Sequence, residues 1–208
     1  YMKRKYSIRN NDRILIKDPD AVFMSDYISK NYNTKVLVLI RHPAAVLASY
    51  KRLGWDVDLY NLNRLIHINK QNLGEFYPLL NKTNKSLPEK VGLLWACIYK
   101  ILNISSVDNH NMLLINHESI CSDPYKAFEK IFDWADCELT EKIYLYIEKH
   151  TSRINPTQAR KNKLHDFSRD SKSLISYWKN KIDEDERDML REITNPISSI
   201  FYDNETWD

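Results

Sequence analysis

Val36-Leu-Val-Leu-Ile40 is followed directly by Arg41-His-Pro-Ala-Ala-Val-Leu-Ala-Ser49, and this stretch decides the fold. An unbroken apolar run rich in β-branched residues predicts a parallel strand that is covered on both faces. Arg41-His42 predicts a tight turn, because Pro43 suits the first position of a helix. Gly54 predicts the end of that helix. Strand, turn and helix in this order are typical of an α/β sheet.

Two further apolar runs extend the predicted sheet. Ile14 to Lys17 predicts a buried strand that stops at Asp18-Pro19, and Met112-Leu-Leu-Ile-Asn116 predicts a third strand. Right-handed crossovers bring the carboxyl ends of parallel strands to one edge, so Lys17 and Arg41 are expected on the same rim. The sequence therefore predicts an α/β fold with an open parallel sheet flanked by helices.

The remainder of the chain predicts mainly helices, so the C-terminal half is expected to be largely helical. Residues 56–85 are polar and aromatic and suit an insertion that contacts an acceptor substrate. The basic stretch from Thr151 to Arg169 is poor in apolar residues and predicts a mobile loop. Apolar periodicity predicts helices over about 20–31, 88–105, 125–135, 139–150, 173–181 and 183–193.

Composition limits the classes of protein and partner. The chain has 208 residues, 43% of them hydrophobic and 28% charged, as expected for one globular domain over residues 1–208. A net charge of +3 is too small for a nucleic-acid-binding surface. No apolar run reaches the ~18 residues of a membrane span. Cys97, Cys121 and Cys137 form no CxxC pair, which predicts reduced thiols in a cytoplasmic protein rather than a zinc or disulfide framework.

Arg41 and Ser49 are candidates for an anion site. A guanidinium at a strand end offers a bidentate fork, a serine about two helical turns later offers a hydroxyl, and the helix start adds the positive end of its dipole. The alternative from spacing alone is that Arg41 pairs with a carboxylate and Ser49 is a small residue at a helix contact.

The segment from Val38 to Tyr50 resembles the second nucleotide-binding motif of the sulfotransferases that depend on 3′-phosphoadenosine 5′-phosphosulfate (PAPS). In that family an arginine follows a hydrophobic strand, and a serine eight positions later joins it in binding the 3′-phosphate. The resemblance assigns these roles to Arg41 and Ser49. It also implies a sulfotransferase fold, which is similar to the fold of the P-loop NTPases.

Ile16-Lys17-Asp18-Pro19 resembles the strand-end lysine segment of the same family. The resemblance implies that Lys17 faces the reacting sulfuryl group. Cytosolic members carry a histidine there as the general base, and this chain has none, which leaves Asp18 as the candidate base. The alternative for Asp18 is a turn or capping residue before Pro19.

Three later segments resemble family segments in the same order. Asn116-His117-Glu118 is similar to the family's Tyr-Glu run, with His117 in place of the tyrosine near the adenine. Thr151-Ser152 resembles the Thr-Ser segment that also approaches the base. Arg169-Asp-Ser-Lys172 resembles the closing loop, which implies that Arg169 and Lys172 cover the 3′-phosphate.

One family motif is absent from these residues. The Lys/Arg-Ser-Gly-Thr loop that cradles the 5′-phosphosulfate has no counterpart, since Gly54, Gly74 and Gly92 all lack that context. Family order places the loop before Lys17. Because the chain starts at Tyr1, we expect a natural protein with a longer N-terminal part.

The resemblance implies transfer of a sulfuryl group from PAPS to a hydroxyl or amine of a glycan, lipid or small-molecule acceptor. It implies 3′,5′-ADP as the product and no metal. The first alternative is a catalytically incomplete module of the same fold that binds a nucleotide or a partner. The second is a kinase-like phosphate-transfer enzyme, which the lack of a Lys-Ser/Thr phosphate loop disfavours.

Overall fold

The structure is a computed structural model that describes residues 13–32, 34–82, 84–157 and 168–208. Within these ranges the chain is mostly helical, with two strands, β1 (Val36–Ile40) and β2 (Met112–Asn116). The α-helices are α1 (Ser25–Asn31), α2 (Pro43–Leu53), α3 (Leu59–Ile68), α4 (Lys70–Leu73), α5 (Tyr77–Leu80), α6 (Leu87–Ser106), α7 (His117–Ser122), α8 (Pro124–Trp134), α9 (Glu141–Thr151) and α10 (Glu184–Ser198). Short 3-10 helices cover Asp20–Met24, Gly74–Phe76, Lys172–Leu174, Tyr177–Asn180 and Asn204–Trp207.

Strands β1 and β2 pair in parallel, with Val36 opposite Met112 and Ile40 opposite Asn116. Both strands have the predicted bounds, and helices flank them, so the predicted α/β class with a parallel sheet is confirmed. The coverage of β1 on both faces is not. Leu37 and Leu39 remain 42% and 48% exposed on one face of the strand.

The predicted strand from Ile14 to Lys17 is wrong, because the structure has no strand in that segment. The side chains of Ile14, Leu15 and Ile16 are 64%, 95% and 79% exposed. In the described part of the chain β1 pairs with β2 alone, so segment 13–19 lacks the neighbouring strand that its backbone would need. An apolar run gains nothing from the extended conformation without a layer to cover it.

Most predicted helices form near their expected bounds, with three exceptions. The predicted helix over 20–31 begins as a 3-10 helix, Asp20–Met24, and becomes α-helical at Ser25. The predicted helix over 173–181 is instead two 3-10 helices, Lys172–Leu174 and Tyr177–Asn180. Helix α10 continues beyond its predicted end at residue 193 to Ser198, with Pro196 in its last turn. Residues 158–167 of the predicted mobile loop lie outside the described residues.

Helix α6 forms the centre of the main core and packs against α2 and α10. Gly92 permits the close approach of α10, since a Cβ atom there would lie 3.1 Å from Leu190 Cδ1 and 3.2 Å from Ile193 Cγ2. Sheet residue Val38 packs with Leu102 of α6. Helix α6 therefore lies beneath the end of β1 and the start of α2. No helix in the described ranges is both long and apolar enough to cross a bilayer.

Candidate functional site

The candidate site lies at the carboxyl ends of the paired strands. Arg41 follows β1 directly, and Arg41 Nη1 donates to Ser49 Oγ at 3.0 Å. Ser49 lies on α2 and in turn donates to the Ala45 carbonyl at 3.0 Å. The structure thus brings together the arginine and serine that their eight-residue spacing singled out. A guanidinium and a hydroxyl at this edge of a parallel sheet form a typical site for an anionic ligand.

Only some of the hydrogen-bond donors of the Arg41 guanidinium have partners within the protein. Its Nε is buried and has no hydrogen-bond partner. Within the described ranges, no carboxylate lies at ion-pair distance from its guanidinium, so the alternative of an Arg41–carboxylate pair is not found there. Burial lowers the pKa of Arg41, and the nearby Glu118 carboxylate opposes that shift. A buried guanidinium with an unused donor favours binding of an anion.

The backbone of the turn is held by side chains from distant parts of the chain. Trp95 of α6 donates its Nε1 hydrogen to the Arg41 carbonyl at 2.8 Å. The His42 backbone N–H donates to Glu118 Oε1 at 3.0 Å, and the Tyr202 hydroxyl donates to Glu118 Oε2 at 2.8 Å. These contacts fix the direction in which Arg41 leaves β1.

An aromatic cage surrounds the His42 side chain, which is 2% exposed. The imidazole stacks on Trp178 with ring centres 5.1 Å apart, and the rings of Tyr202 and Trp207 meet it at centre distances of 4.9 and 4.5 Å. His42 Nδ1 accepts the Ala44 N–H at 3.3 Å and caps α2. Burial lowers the pKa of His42 to about 3, so the ring is neutral and packs as part of the core.

His117 begins α7 immediately after β2, so it occupies the position equivalent to Arg41 on the neighbouring strand. Its ring lies 3.6 Å from Cys121 Sγ. Burial lowers the pKa of His117, Glu118 raises it, and Arg41 lowers it further. The imidazole is therefore near enough to Arg41 to share its electrostatic environment. Among the described residues no cluster of His, Cys, Asp and Glu suits a metal ion.

Thr151 lies at the end of α9 and is connected to α7 through Ser171. The Ser171 N–H donates to the Thr151 carbonyl at 3.3 Å, and the buried Ser171 hydroxyl donates to the Cys121 carbonyl at 2.9 Å. The Thr151 hydroxyl donates to the Ile147 carbonyl at 2.8 Å. Ser171 thus links Thr151 to α7, the helix that begins at His117, through one hydrogen bond to each.

Arg169 and Lys172 belong to the same segment. The Arg169 N–H donates to the His150 carbonyl at 3.0 Å, and its Nη2 donates to the Thr157 carbonyl at 2.5 Å. Arg169 Nε is buried without a partner, as Arg41 Nε is. The Lys172 side chain is exposed at the start of a 3-10 helix. The segment therefore carries a second arginine with an unused donor.

Lys17 and Asp18 lie in segment 13–19, where both are exposed and no strand forms. The shared rim expected for Lys17 and Arg41 required a strand at 14–17, and that strand does not form.

A family model for the sulfotransferase domain matches residues 14–200, a range that includes all of the candidate site residues. The chain belongs to the sulfotransferase family. The sulfotransferase fold expected from the sequence is thereby confirmed, and membership indicates a transferase that moves sulfuryl groups. No curated protein and no solved structure matches the chain at a significant level.

Sequence reasoning assigned no role to three residues that hold the sulfotransferase turn: Trp95, Glu118 and Tyr202. Trp95 fits an ordinary core position on α6, and Tyr202 fits a closing aromatic segment. The only sequence signal that could have pointed to one of these three residues was the position of Glu118 beside His117. Trp95 and Glu118 contact residues 41 and 42 across 54 and 76 positions of the chain, and Tyr202 contacts Glu118 across 84, which no local pattern reveals.

Proposed function

We propose that this sulfotransferase takes its sulfuryl group from PAPS and passes it to a hydroxyl or amine of a glycan, lipid or small-molecule acceptor. The observation that carries the proposal is the pairing of Arg41 with Ser49 at the end of β1. Arg41 offers a buried nitrogen without a hydrogen-bond partner, and no carboxylate in the described ranges forms an ion pair with its guanidinium. A dianionic 3′-phosphate matches this arrangement of donors.

The remaining cluster suits the rest of the nucleotide. The resemblance to the family implies that His117 and Thr151 face the adenine, and the hydrogen bonds of Ser171 to both α7 and the end of α9 support placing them on one side of the site. The resemblance also implies that Arg169 and Lys172 cover the 3′-phosphate, and the buried Arg169 Nε without a partner supports this role for Arg169. Neutral His117 suits contact with an uncharged base, as burial lowers its pKa.

The transfer itself breaks the bond between the sulfuryl sulfur and the phosphate oxygen and forms a bond from sulfur to the acceptor oxygen or nitrogen. The acceptor proton passes to a base, and 3′,5′-ADP leaves. Such a reaction needs positioning along one line and stabilisation of the charge that develops. We propose that Lys17 stabilises that charge and that Asp18 is the base, with no metal taking part. The three free cysteines suit a cytoplasmic setting for the reaction.

A second candidate is a module that binds the nucleotide without transfer. Gly54 ends α2, Gly74 begins a 3-10 helix and Gly92 lies within α6. None of them is therefore placed in a loop around a phosphosulfate. This candidate keeps the Arg41 site and lacks the stabilisation of the leaving phosphate.

Calorimetry with 3′,5′-ADP, and separately with ATP and Mg²⁺, tests the donor class. The proposal predicts binding of 3′,5′-ADP and at least about tenfold weaker binding of ATP, which lacks a 3′-phosphate. Preference for ATP would instead support a kinase-like enzyme.

Release of 3′,5′-ADP from sulfur-labelled PAPS, measured with glycan, lipid and alcohol acceptors, separates the two remaining candidates. A labelled acceptor supports the sulfotransferase. Tight nucleotide binding without release of 3′,5′-ADP supports the binding module.

A further inference from the structure

Glu118 is engaged in an unusual way for a carboxylate beside a half-buried arginine. Its Oε1 accepts the His42 backbone N–H at 3.0 Å, and its Oε2 accepts the Tyr202 hydroxyl at 2.8 Å. Both oxygens are thus occupied by uncharged donors. Glu118 is also the leading charged influence on Arg41, yet the two side chains form no ion pair.

We propose that Tyr202 is a positioning residue that keeps the Glu118 carboxylate on the backbone of the turn and away from the Arg41 guanidinium. The positive charge of Arg41 then stays available for the 3′-phosphate. This inference rests on the proposed function, because it concerns the same anion site. It assigns a binding role to a C-terminal residue that does not itself contact the ligand.

Tyr202 is well suited to this role because its position is fixed on several sides. The residue is 7% exposed, its N–H donates to the Ser198 carbonyl at 2.8 Å, and its ring meets His42. The neighbouring Phe201 carbonyl accepts the side-chain amide of Asn116 at 2.7 Å, which joins this segment to the end of β2. Burial and Glu118 raise the pKa of Tyr202, so the hydroxyl remains a proton donor at all ordinary pH values.

Loss of this hydroxyl would leave Glu118 Oε2 without its partner. A partly enclosed carboxylate that loses a donor is strongly biased towards the nearest positive charge. Arg41 is such a charge beside Glu118, since Glu118 is its leading charged influence, and Arg41 Nε has no partner in the structure. An Arg41–Glu118 ion pair would then compete directly with the phosphate for the same guanidinium.

A double-mutant cycle tests the proposal by calorimetry with 3′,5′-ADP and with 5′-AMP, which lacks only the 3′-phosphate. We expect Tyr202→Phe to weaken 3′,5′-ADP about fivefold and to change 5′-AMP by less than about twofold. In a Glu118→Gln background the same change should alter 3′,5′-ADP by less than about twofold, because an amide does not pair with Arg41 as an ion.

Three outcomes overturn the proposal. The first is an equal loss for both nucleotides on Tyr202→Phe, and the second is no loss for either. The third is an undiminished effect of that change in the Glu118→Gln background. Failure of the proposed function can be told apart from failure of this proposal, since the unmodified protein would then show no preference for 3′,5′-ADP over 5′-AMP.

Glu118→Gln alone serves as the second variant if thermal melting shows that Tyr202→Phe does not fold. It retains an acceptor for the His42 N–H and removes a negative charge near the phosphate. We expect it to bind 3′,5′-ADP about twofold tighter than the unmodified protein. Weaker binding would show that Glu118 orients Arg41 as an ion-pair partner, which contradicts the proposal.

Discussion

Residues 41–49 and residues 13–19 each place a basic side chain after an apolar run, and they differ in what holds them. The Arg41 turn has a paired strand before it and a helix after it, accepts a hydrogen bond from Trp95 and donates one to Glu118. Segment 13–19 is exposed along its whole length. An apolar run therefore becomes a strand only when neighbouring elements satisfy its backbone hydrogen bonds and cover its side chains.

The largest expected difference between the two regions is in stability. Trp207 is 2% exposed and packs on His42, whereas Leu15 is 95% exposed. Trp207→Ala should lower the free energy of unfolding by about 3–5 kcal/mol, because it removes a buried aromatic ring and leaves a cavity. Leu15→Ala should change it by less than about 0.5 kcal/mol. Urea denaturation measures both, and similar small losses would contradict the contrast.

The second prediction uses pH to test the burial of the turn. The folded-state pKa of His42 is lowered to about 3, so below its unfolded value of about 6.5 the unfolded chain binds the extra proton. The stability from neutral His42 is therefore complete above pH 6.5 and is lost as pH falls. The slope should approach about 1.4 kcal/mol per pH unit below pH 6.

His42→Gln is the matched variant for this measurement. Urea denaturation between pH 6.5 and 5 avoids the carboxylates with depressed pKa values, such as Glu89, which titrate lower. His117 contributes a slope of the same sign, since burial lowers its pKa too. The variant should therefore retain the part of the pH dependence that comes from His117 and lose the part that comes from the uptake of one proton by His42 on unfolding. An unchanged slope would place His42 in solvent.

A third, smaller effect concerns the far end of the helix that carries Ser49. Gly54 ends α2 with a φ of 66°, and a Cβ atom there would meet nothing within 4 Å. Gly54→Ala should therefore cost about 1 kcal/mol from backbone strain alone. Gly74→Ala is the control, since Gly74 has a φ of −59° and an added Cβ would make only an ordinary contact, 3.9 Å from Lys70 Cγ. It should be neutral or stabilise by about 0.5 kcal/mol in the same denaturation experiment.

The smallest predicted effect is on the affinity for 3′,5′-ADP. It is measured by removing the Ser49 hydroxyl and, for comparison, the charged Arg13 side chain in segment 13–19. Ser49→Ala removes one donor beside Arg41 and should weaken 3′,5′-ADP about fivefold. Arg13→Ala removes a guanidinium that bonds to Ala135 and should change the affinity by less than about twofold. Fluorescence titration gives both constants. A larger loss for Arg13→Ala would move the anion site towards that segment.

Local patterns predicted the elements that local interactions define. β1 and β2 have their predicted bounds, and the convergence of Arg41 with Ser49 follows from one strand end and two turns of helix. The failure at 14–17 concerned a strand that depends on partners elsewhere in the chain. Glu118 and Tyr202 escaped prediction for the same reason, since they contact each other across 84 positions.

The most direct test of the account is the contribution of Arg41 to recognition of the 3′-phosphate. Calorimetry of 3′,5′-ADP and 5′-AMP, with the unmodified protein and with Arg41→Ala, measures it as a ratio of dissociation constants. The account predicts a preference of about 100-fold for 3′,5′-ADP that falls below about threefold in Arg41→Ala. A preference that survives the substitution unchanged would contradict the placement of the 3′-phosphate at the Arg41 turn.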